Sequence, residues 1–292
     1  MTDVIESLEI DRWSGPFSAE LQHKALAALE AGRVVFCPRL AFAVKDEEAK
    51  LLSSDFATGK AKNISLDPAK GQVSGTAASS HEEHLRAMME RFARSSNQLV
   101  TDLFPGYLEG IELARTSYRP VEIVGRQSSP RKDDRLLHVD AFPSRPTRGR
   151  RILRVFSNIN PTGKARIWHV GEPFEDFARK YVGAVRRPFP LEPSLLAALG
   201  ITKGKRSAYD QIMLGLHDKG KLDPRYQKEA PQTEFGFPPD TTWLCFTDQV
   251  LHAAISGQFA LEQTFHVDIA AMARPEQSPL RVLERITGQA LV

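Results

Sequence analysis

From about residue 108 onward, five runs, ELARTSYRPVEIV, RLLHVDAF, RILRVFSNIN, TTWLCFTD and LEQTFHVDIA, read as strands separated by Pro, Gly and Asp signals. Short strands punctuated by turn residues point to an all-β core. Between the third and fourth runs, residues 173–230 change character: EPFEDFARKYV, PSLLAALGI and SAYDQIMLGLHDKG space their apolar residues for helices. The strands on either side are too few to stand alone, so this stretch reads as an insertion within one domain.

The N-terminal third adds helices. In SAELQHKALAALEA (18–31), Leu21, Ala25, Leu26 and Leu29 recur at helical spacing and Gly32 supplies the stop. VVFCP predicts a short strand, residues 46–57 a second helix, and residues 81–103 a longer one with Leu85, Met88, Met89, Phe92, Leu99 and Leu103 on one face. Residues 58–80, rich in Gly, Ala, Ser and Lys, read as a mobile surface loop. A last helix is expected from SPLRVLERI, with Ser278 as N-cap and Pro279 at the first helical position. The expected fold class is α+β, a single domain over residues 1–292. Its parts would be an N-terminal helical support region (1–105), a double-stranded β-helix or jelly-roll core (106–270) with an insertion at about 173–235, and a C-terminal helix (275–292).

Composition excludes several classes. The 39 Lys+Arg against 36 Asp+Glu leave only +3, so bulk charge makes no case for nucleic acid, and no nucleic-acid partner is expected. Two distant cysteines, Cys37 and Cys245, build neither a disulfide framework nor a zinc ribbon, which fits a reducing compartment. MTDVIESLEIDRW carries acids where a signal peptide needs a basic stretch followed by an apolar run. No window approaches the ~18 consecutive apolar residues of a membrane span. The expected location is cytoplasmic, at most on a membrane surface.

The chemistry starts at LLHVDAF (136–142). In a strand, side chains alternate faces, so His138 and Asp140 point one way and Val139 the other, a chelating geometry. A core histidine followed by a turn aspartate is the other reading of the triplet. The stretch VLHAAISGQFALEQTFHVD supplies a partner, His252, next to a distant strand. His-x-Asp and a distant His inside a jelly roll make the facial triad that binds Fe(II) and leaves positions open for a 2-oxo acid and dioxygen. A structural zinc site is closed instead. A 2-oxoglutarate co-substrate also needs a cation for its remote carboxylate. No Arg or Lys lies between His252 and Arg274, where Gln263 and His266 stand instead. RRILRVFSNIN offers Arg154, fourteen positions past Asp140, with Leu153 and Val155 facing the other way; Arg126 is the rival on the preceding strand. Either guanidinium could clamp a carboxylate bidentately, and Gln263 is kept as a further cofactor-binding candidate.

Two blocks, HVDAFPSRPTRGRRILRVFSNINP (138–161) and LHAAISGQFALEQTF (251–265), resemble the Kdo hydroxylase family, Kdo being 3-deoxy-D-manno-oct-2-ulosonic acid. The likeness continues more weakly through Trp168-His169 and WLCFTDQ, and residues 1–105 carry none at residue level. It implies an Fe(II)- and 2-oxoglutarate-dependent dioxygenase that hydroxylates C3 of a Kdo sugar on Kdo-lipid A to give Ko, a lipopolysaccharide modification. His138, Asp140 and His252 would be the iron ligands, with 2-oxoglutarate and dioxygen as co-substrates. Arg145, Arg148, Arg150 and Arg151 crowd the loop beyond the metal strand, where they suit a sugar carboxylate or lipid phosphate; a solvated turn would have the same composition. SSPRKDDR (128–135) would lie at the mouth of the site. A lipid substrate implies peripheral contact with the cytoplasmic face of the inner membrane, with Trp13, Phe17 and Phe56 as apolar candidates. Oligomeric state stays open, a homo-oligomer included. Asn160-Pro161 reads as a turn, His169 and His266 as cavity-lining or structural residues, and His81 and His84 as surface histidines. Two other readings stay open: the same oxygenase chemistry on a protein side chain or small molecule, and a non-catalytic jelly-roll module that binds an anionic sugar.

Overall fold

The computed structural model describes residues 4–58, 63–77, 79–186, 189 and 192–292. The strands are β1 (Ile5–Ser7), β2 (Val34–Cys37), β3 (Ile64–Asp67), β4 (Gln72–Ser74), β5 (Ile111–Arg119), β6 (Arg151–Asn158), β7 (Arg166–Gly171), β8 (Gln232–Phe237), β9 (Thr241–Phe246), β10 (His252–Ser256) and β11 (Ala260–Val267). The helices are α1 (Ala19–Glu30), α2 (Glu82–Leu103), α3 (Phe174–Tyr181), α4 (Glu192–Ala198), α5 (Ala208–Leu222), α6 (Pro224–Glu229) and α7 (Pro279–Thr287). An eight-stranded sheet runs β1-β2-β9-β6-β11-β5-β3-β4, and a three-stranded sheet runs β10-β7-β8. Apart from the parallel β1–β2 pair, every pairing is antiparallel. Helices accompany a predominantly antiparallel core, as the α+β expectation required.

Side-chain alternation sorts the large sheet into two faces. Val35 and Cys37 of β2, Leu153 and Val155 of β6, Leu244 and Phe246 of β9, and Leu261, Phe265 and Val267 of β11 pack under α1 and α2. The alternate residues Val34, Phe36, Phe156, Trp243 and Cys245 meet Trp168, Val170 and Phe237 of the small sheet. That inner layer is aromatic: Trp243 stacks 4.0 Å from Phe237 and 5.3 Å from Phe156. A third apolar cluster joins α3, α5 and α7 to Leu137, Val139 and Leu251, which anchors the helical insertion next to the His-x-Asp segment.

Local signals account for the helix ends. Ser18 accepts the Leu21 N–H at 3.2 Å to start α1, and Ser278 accepts the Arg281 N–H at 3.3 Å with Pro279 at the first position of α7. Gly288, at φ 68°, closes α7 in the left-handed conformation.

Four elements differ from the sequence expectation. Residues 46–57 form two 3-10 turns, Asp46–Leu51 and Ser54–Phe56, broken where Ser53 caps the second. The surface-loop reading of 58–80 gives way to the β3–β4 hairpin; Ile64, Leu66 and Val73 commit it to the core, and β3 pairs with the edge of β5. Residues 59–62 and 78 of that stretch lie outside the described residues, as do 187, 188, 190 and 191 of the insertion. Sheet structure resumes at Gln232 rather than near Trp243, because QTEFGF forms the half-exposed edge strand β8 with little apolar patterning. LLHVDAF is not a strand: it forms one isolated bridge, at His138. Trp13, Phe17 and Phe56 pack against the outer core, and Trp13 Nε1 donates to the Ala41 carbonyl at 2.8 Å, so none belongs to an exposed patch. Among the described residues, no helix is long and apolar enough to cross a membrane.

Arg151 ties the outer layer together. It is fully buried, its Nε donates to Asp248 at 2.8 Å and its Nη2 to Gln249 Oε1 at 2.6 Å, and its guanidinium lies 3.8 Å from the Phe246 ring centroid. Truncation would leave the Asp248 carboxylate buried and unpaired. Arg151→Ala is therefore expected to cost about 3–5 kcal/mol, measured as a lower urea midpoint; an unchanged midpoint would show that the buried pair adds nothing.

Candidate metal centre

His138 and Asp140 sit on an extended segment laid against β10 and the end of β9. His138 N–H donates to the His252 carbonyl at 3.1 Å, and His252 N–H returns the bond at 2.9 Å. Asp140 N–H donates to the Thr247 carbonyl at 2.8 Å. These main-chain bonds bring three side chains from distant parts of the sequence to one point. One ligand atom from each of His138, Asp140 and His252 lies within 4.8 Å of the others.

Both imidazoles are oriented by their own backbone. His138 Nδ1 is 2.7 Å from the Leu136 carbonyl, and His252 Nδ1 is 2.8 Å from the Val250 carbonyl. A carbonyl only accepts, so Nδ1 carries the proton in each ring and Nε2 keeps its lone pair for the shared space. Burial depresses both histidine pKa values, His138 furthest, which favours the neutral ligand form. Burial alone would raise Asp140, but the Arg154 guanidinium and the two histidines hold its carboxyl well below the usual carboxylate range. Asp140 Oδ2 is buried with no aligned hydrogen-bond donor, although Arg154 Nη2 lies 3.0 Å away as an ion-pair partner. Two neutral imidazoles and one ionised carboxylate fit a first-row divalent ion held on one face. Three protein donors leave the other positions of such an ion to ligands from outside.

A relay of alternating charge leads away from the triad. Arg154, on the inner face of β6, reaches Asp140 and, at 3.1 Å, Glu262 of β11. Arg119 Nε donates to Glu262 at 3.0 Å, and Arg126 Nη2 donates to Asp134 at 3.0 Å. Arg166 of β7 differs: it is 2% exposed, no carboxylate among the described residues lies within 4.0 Å, and burial together with Arg119 lowers its pKa to about 9. Its Nη1 donates to the Gly257 carbonyl at 3.4 Å. Four guanidiniums thus face the three carboxylates of Asp134, Asp140 and Glu262. From the other side, the Trp168 ring stacks 5.2 Å from His252, and α5 brings the His217 ring to 5.5 Å from His138.

The expected site residues divide by strand parity. Arg154 shares the inner face with the triad. Gln263 shares the outer face with Leu261 and Phe265, where Thr116 Oγ1 donates to it at 2.6 Å and its Nε2 donates to the Ala114 carbonyl; it does not reach the cavity. Arg151 likewise points outward into the pair with Asp248, away from any substrate loop. Arg126 lies beyond the end of β5, in a turn rather than on a strand, yet joins the relay through Asp134. Arg150 is held by Glu112 at 2.7 Å and Asp268 at 2.8 Å, which leaves Arg148 exposed and Arg145 half-buried in the loop after Asp140. His169 faces away from Trp168, towards Gln232 and Glu234. His266 lies beside Phe142, and Asn158 ties a turn to the Lys164 and Phe237 carbonyls. His81 and His84 stand near Phe56 and Lys50, apart from the site. The SSPRKDDR segment is pinned between elements, Arg131 to Asp218 of α5 and the Asp134 carbonyl to Ala254 N–H of β10.

Arg119, Arg166, Glu262 and His217 were not singled out from sequence. Arg119, Glu262 and Arg166 lie on strands whose inward parity carried a signal, but a charged residue in a strand reads first as solvent-facing. His217 sits on an amphipathic helix, α5, whose covered face is set by tertiary packing.

A family profile described as 3-deoxy-D-manno-oct-2-ulosonic acid (Kdo) hydroxylase matches residues 12–290. Among solved structures, the chain is similar to the Kdo hydroxylase KdoO, described as a non-heme Fe(II) α-ketoglutarate-dependent dioxygenase. With the KdoO complex of α-ketoglutarate and Fe(III) it shares 48% identity over 99% of this chain and 97% of that one, at a TM-score of 0.94. With the cobalt(II) complex it shares 48% identity over 99% and 98%, at 0.96. The apo form is 49% identical over 99% and 97%, at 0.95. A comparison with curated proteins gave no match. A profile that spans nearly the whole chain, and solved structures that superpose on it almost end to end, lead to one conclusion: the chain belongs to the Kdo hydroxylase family.

Proposed function

We propose that this chain is an Fe(II)- and 2-oxoglutarate-dependent dioxygenase that hydroxylates C3 of a Kdo sugar on lipid A, giving Ko. The observation that carries the reading is the convergence of one ligand atom each from His138, Asp140 and His252 within 4.8 Å in a chain of this family. When bound, iron, 2-oxoglutarate and dioxygen supply the oxidising power: 2-oxoglutarate is converted to succinate and carbon dioxide, and one oxygen atom enters the sugar C–H bond.

The chain's own residues set the conditions for that chemistry. His138, Asp140 and His252 are the metal ligands in this reading, held in the right tautomer and charge state before any ion arrives. Preorganised donors need no rearrangement at the moment of reaction. Arg154, 3.0 Å from Asp140, is the guanidinium nearest the triad and would hold a carboxylate of 2-oxoglutarate. Arg166, a buried cation with no carboxylate at ion-pair distance, is a second anion position in the same cavity, and Arg126 acts through Asp134. The aromatic layer of Trp168, Trp243 and Phe156 excludes water behind His252. In the loop after Asp140, Arg145 and Arg148 would offer forks of donors to the Kdo carboxylate or a lipid phosphate. A lipid-borne substrate places the enzyme at the cytoplasmic face of the inner membrane, as a peripheral protein.

The reaction is tested by supplying Fe(II), 2-oxoglutarate and dioxygen with Kdo-lipid A. The expected outcome is a gain of one oxygen atom in the Kdo fragment, matched by one succinate. Succinate formed with some other substrate and none with Kdo-lipid A would keep the oxygenase and discard the substrate.

The ligands are tested apart from turnover with cobalt(II). One ion per wild-type chain is expected from visible absorption and metal content, with loss of binding in His138→Ala and in His252→Ala. Wild-type stoichiometry in both variants would remove them as ligands.

For the carboxylate clamp, Arg154→Ala should raise the half-saturating 2-oxoglutarate concentration by about tenfold or more, since a charge-assisted pair is lost. The sugar requirement should move far less. An unchanged 2-oxoglutarate dependence would transfer the role to Arg166 or Arg126, to be examined by the same substitution there.

A further inference from the structure

Three large apolar side chains crowd the surface at the end of the short helix α4. Leu195 is 59% exposed, Leu199 64% and Ile201 54%, three of the eight exposed large apolar side chains among the described residues. They are not on a frayed end. Leu199 N–H donates to the Leu195 carbonyl at 2.9 Å and Ile201 N–H to the Leu196 carbonyl at 3.0 Å, so the turn through Gly200 holds the three together. Soluble surfaces scatter such residues singly, and a cluster calls for something to cover it.

Basic residues border the cluster. Lys203 and Lys205 follow directly, both exposed, and the main chain joins them to the arginine loop: Lys203 N–H donates to the Ser144 carbonyl at 2.8 Å, and Arg206 Nη2 donates to the Pro143 carbonyl. A cavity of about 390 Å³ lies where the loops meet, lined by Pro146, Thr147, Arg148, Arg150, Lys203 and Gly204. Arg148 adopts φ 53°, unusual for a residue other than glycine. The Asp210 carboxylate fixes it there by accepting the Thr147 N–H at 2.8 Å and the Arg148 N–H at 3.0 Å. Asp210 thereby spends its charge on main chain, not on the guanidinium. Among the described residues, no acid lies within 4.0 Å of Arg145, Arg148, Lys203 or Lys205. The arginine loop itself begins directly after Asp140.

Apolar side chains that project past a cationic border match the interface of an anionic bilayer. There, apolar groups enter the acyl boundary while Lys and Arg meet headgroup phosphates. We infer that Leu195, Leu199 and Ile201, bordered by Arg145, Arg148, Lys203 and Lys205, form the face by which this enzyme docks on an anionic membrane surface and draws its substrate from the bilayer. The inference rests on the reading that the substrate is a lipid-borne sugar. It adds which surface meets the lipid.

The test is flotation of the full chain with vesicles of phosphatidylglycerol and phosphatidylethanolamine, and with phosphatidylcholine vesicles as the uncharged control. Two variants are compared with wild type: Leu195→Gln/Leu199→Gln/Ile201→Gln and Lys203→Glu/Lys205→Glu. Wild type is expected to float with the anionic vesicles and not with phosphatidylcholine, and each variant to bind roughly tenfold more weakly or worse. The urea midpoints should match wild type, since the altered residues are exposed. Hydroxylation of Kdo-lipid A embedded in vesicles should fall with binding, whereas turnover of a short water-soluble Kdo glycoside should be unchanged. Wild-type flotation by both variants, or no flotation of wild type, overturns the docking face even if the soluble glycoside is hydroxylated. A dimer that the glutamine substitutions dissociate, without vesicle binding, assigns the face to a second copy and also overturns it. Flotation as expected with neither Kdo substrate oxidised keeps the face and rejects the substrate reading.

Discussion

The reciprocal main-chain hydrogen bonds between His138 and His252 are the constraint on which the site depends. They lie outside either sheet's continuous ladder, as a single bridge between an otherwise irregular segment and the first residue of β10. Because main chain makes the contact, the separation of the two imidazoles is set before any side-chain rotamer is chosen. The Nδ1 bonds to Leu136 and Val250 then fix each ring, and the Thr247 carbonyl brings Asp140 into line. Leu137 and Val139, which alternate with these ligands, are buried against the insertion helices. Packing on one face of the segment therefore holds chelating groups on the other.

Charge is the second organising element. A cavity that buries Arg154, Glu262 and Arg166 carries a large desolvation cost, repaid only partly by the pairs that form. Asp140 bridges the two functions, since it answers both to the histidines and to Arg154. A divalent ion at the triad would compete with Arg154 for that carboxylate and so release a guanidinium towards an incoming dianion. Metal and co-substrate binding are coupled through one residue in this account, and the polar groups inside the jelly roll are retained for that reason rather than for stability.

Much of this was legible in the sequence where period and chemistry agreed. RILRVFSNIN and LEQTFHVDIA announced β6 and β11, Ser278-Pro279 announced α7, and His138, Asp140 and His252 converge as their types and order suggested. The readings that changed did so for identifiable reasons. Gln263 and Arg151 were placed by proximity in sequence, whereas a one-residue step on a strand turns a side chain to the opposite face. β3–β4 and β8 are short edge strands with few apolar positions, so composition spoke for loop. LLHVDAF looked like a strand because the alternation is real, but only one of its residues finds a bridging partner. Arg166 could not have been singled out, because its isolation from any carboxylate is a property of the packed cavity. PSLLAALGI read as an ordinary amphipathic helix, and only the fold shows Leu195, Leu199 and Ile201 exposed at its end.

The central claim is that one face of this cavity holds Fe(II) while its guanidiniums hold 2-oxoglutarate. The most direct measurement is an anaerobic titration of the protein with Fe(II) and then 2-oxoglutarate, watching for the weak visible charge-transfer absorption of an iron–2-oxo acid chelate. The account predicts that the band appears with one equivalent of each and is absent when either is omitted. Folded protein that binds neither component, or that shows no band when both are present, would contradict it.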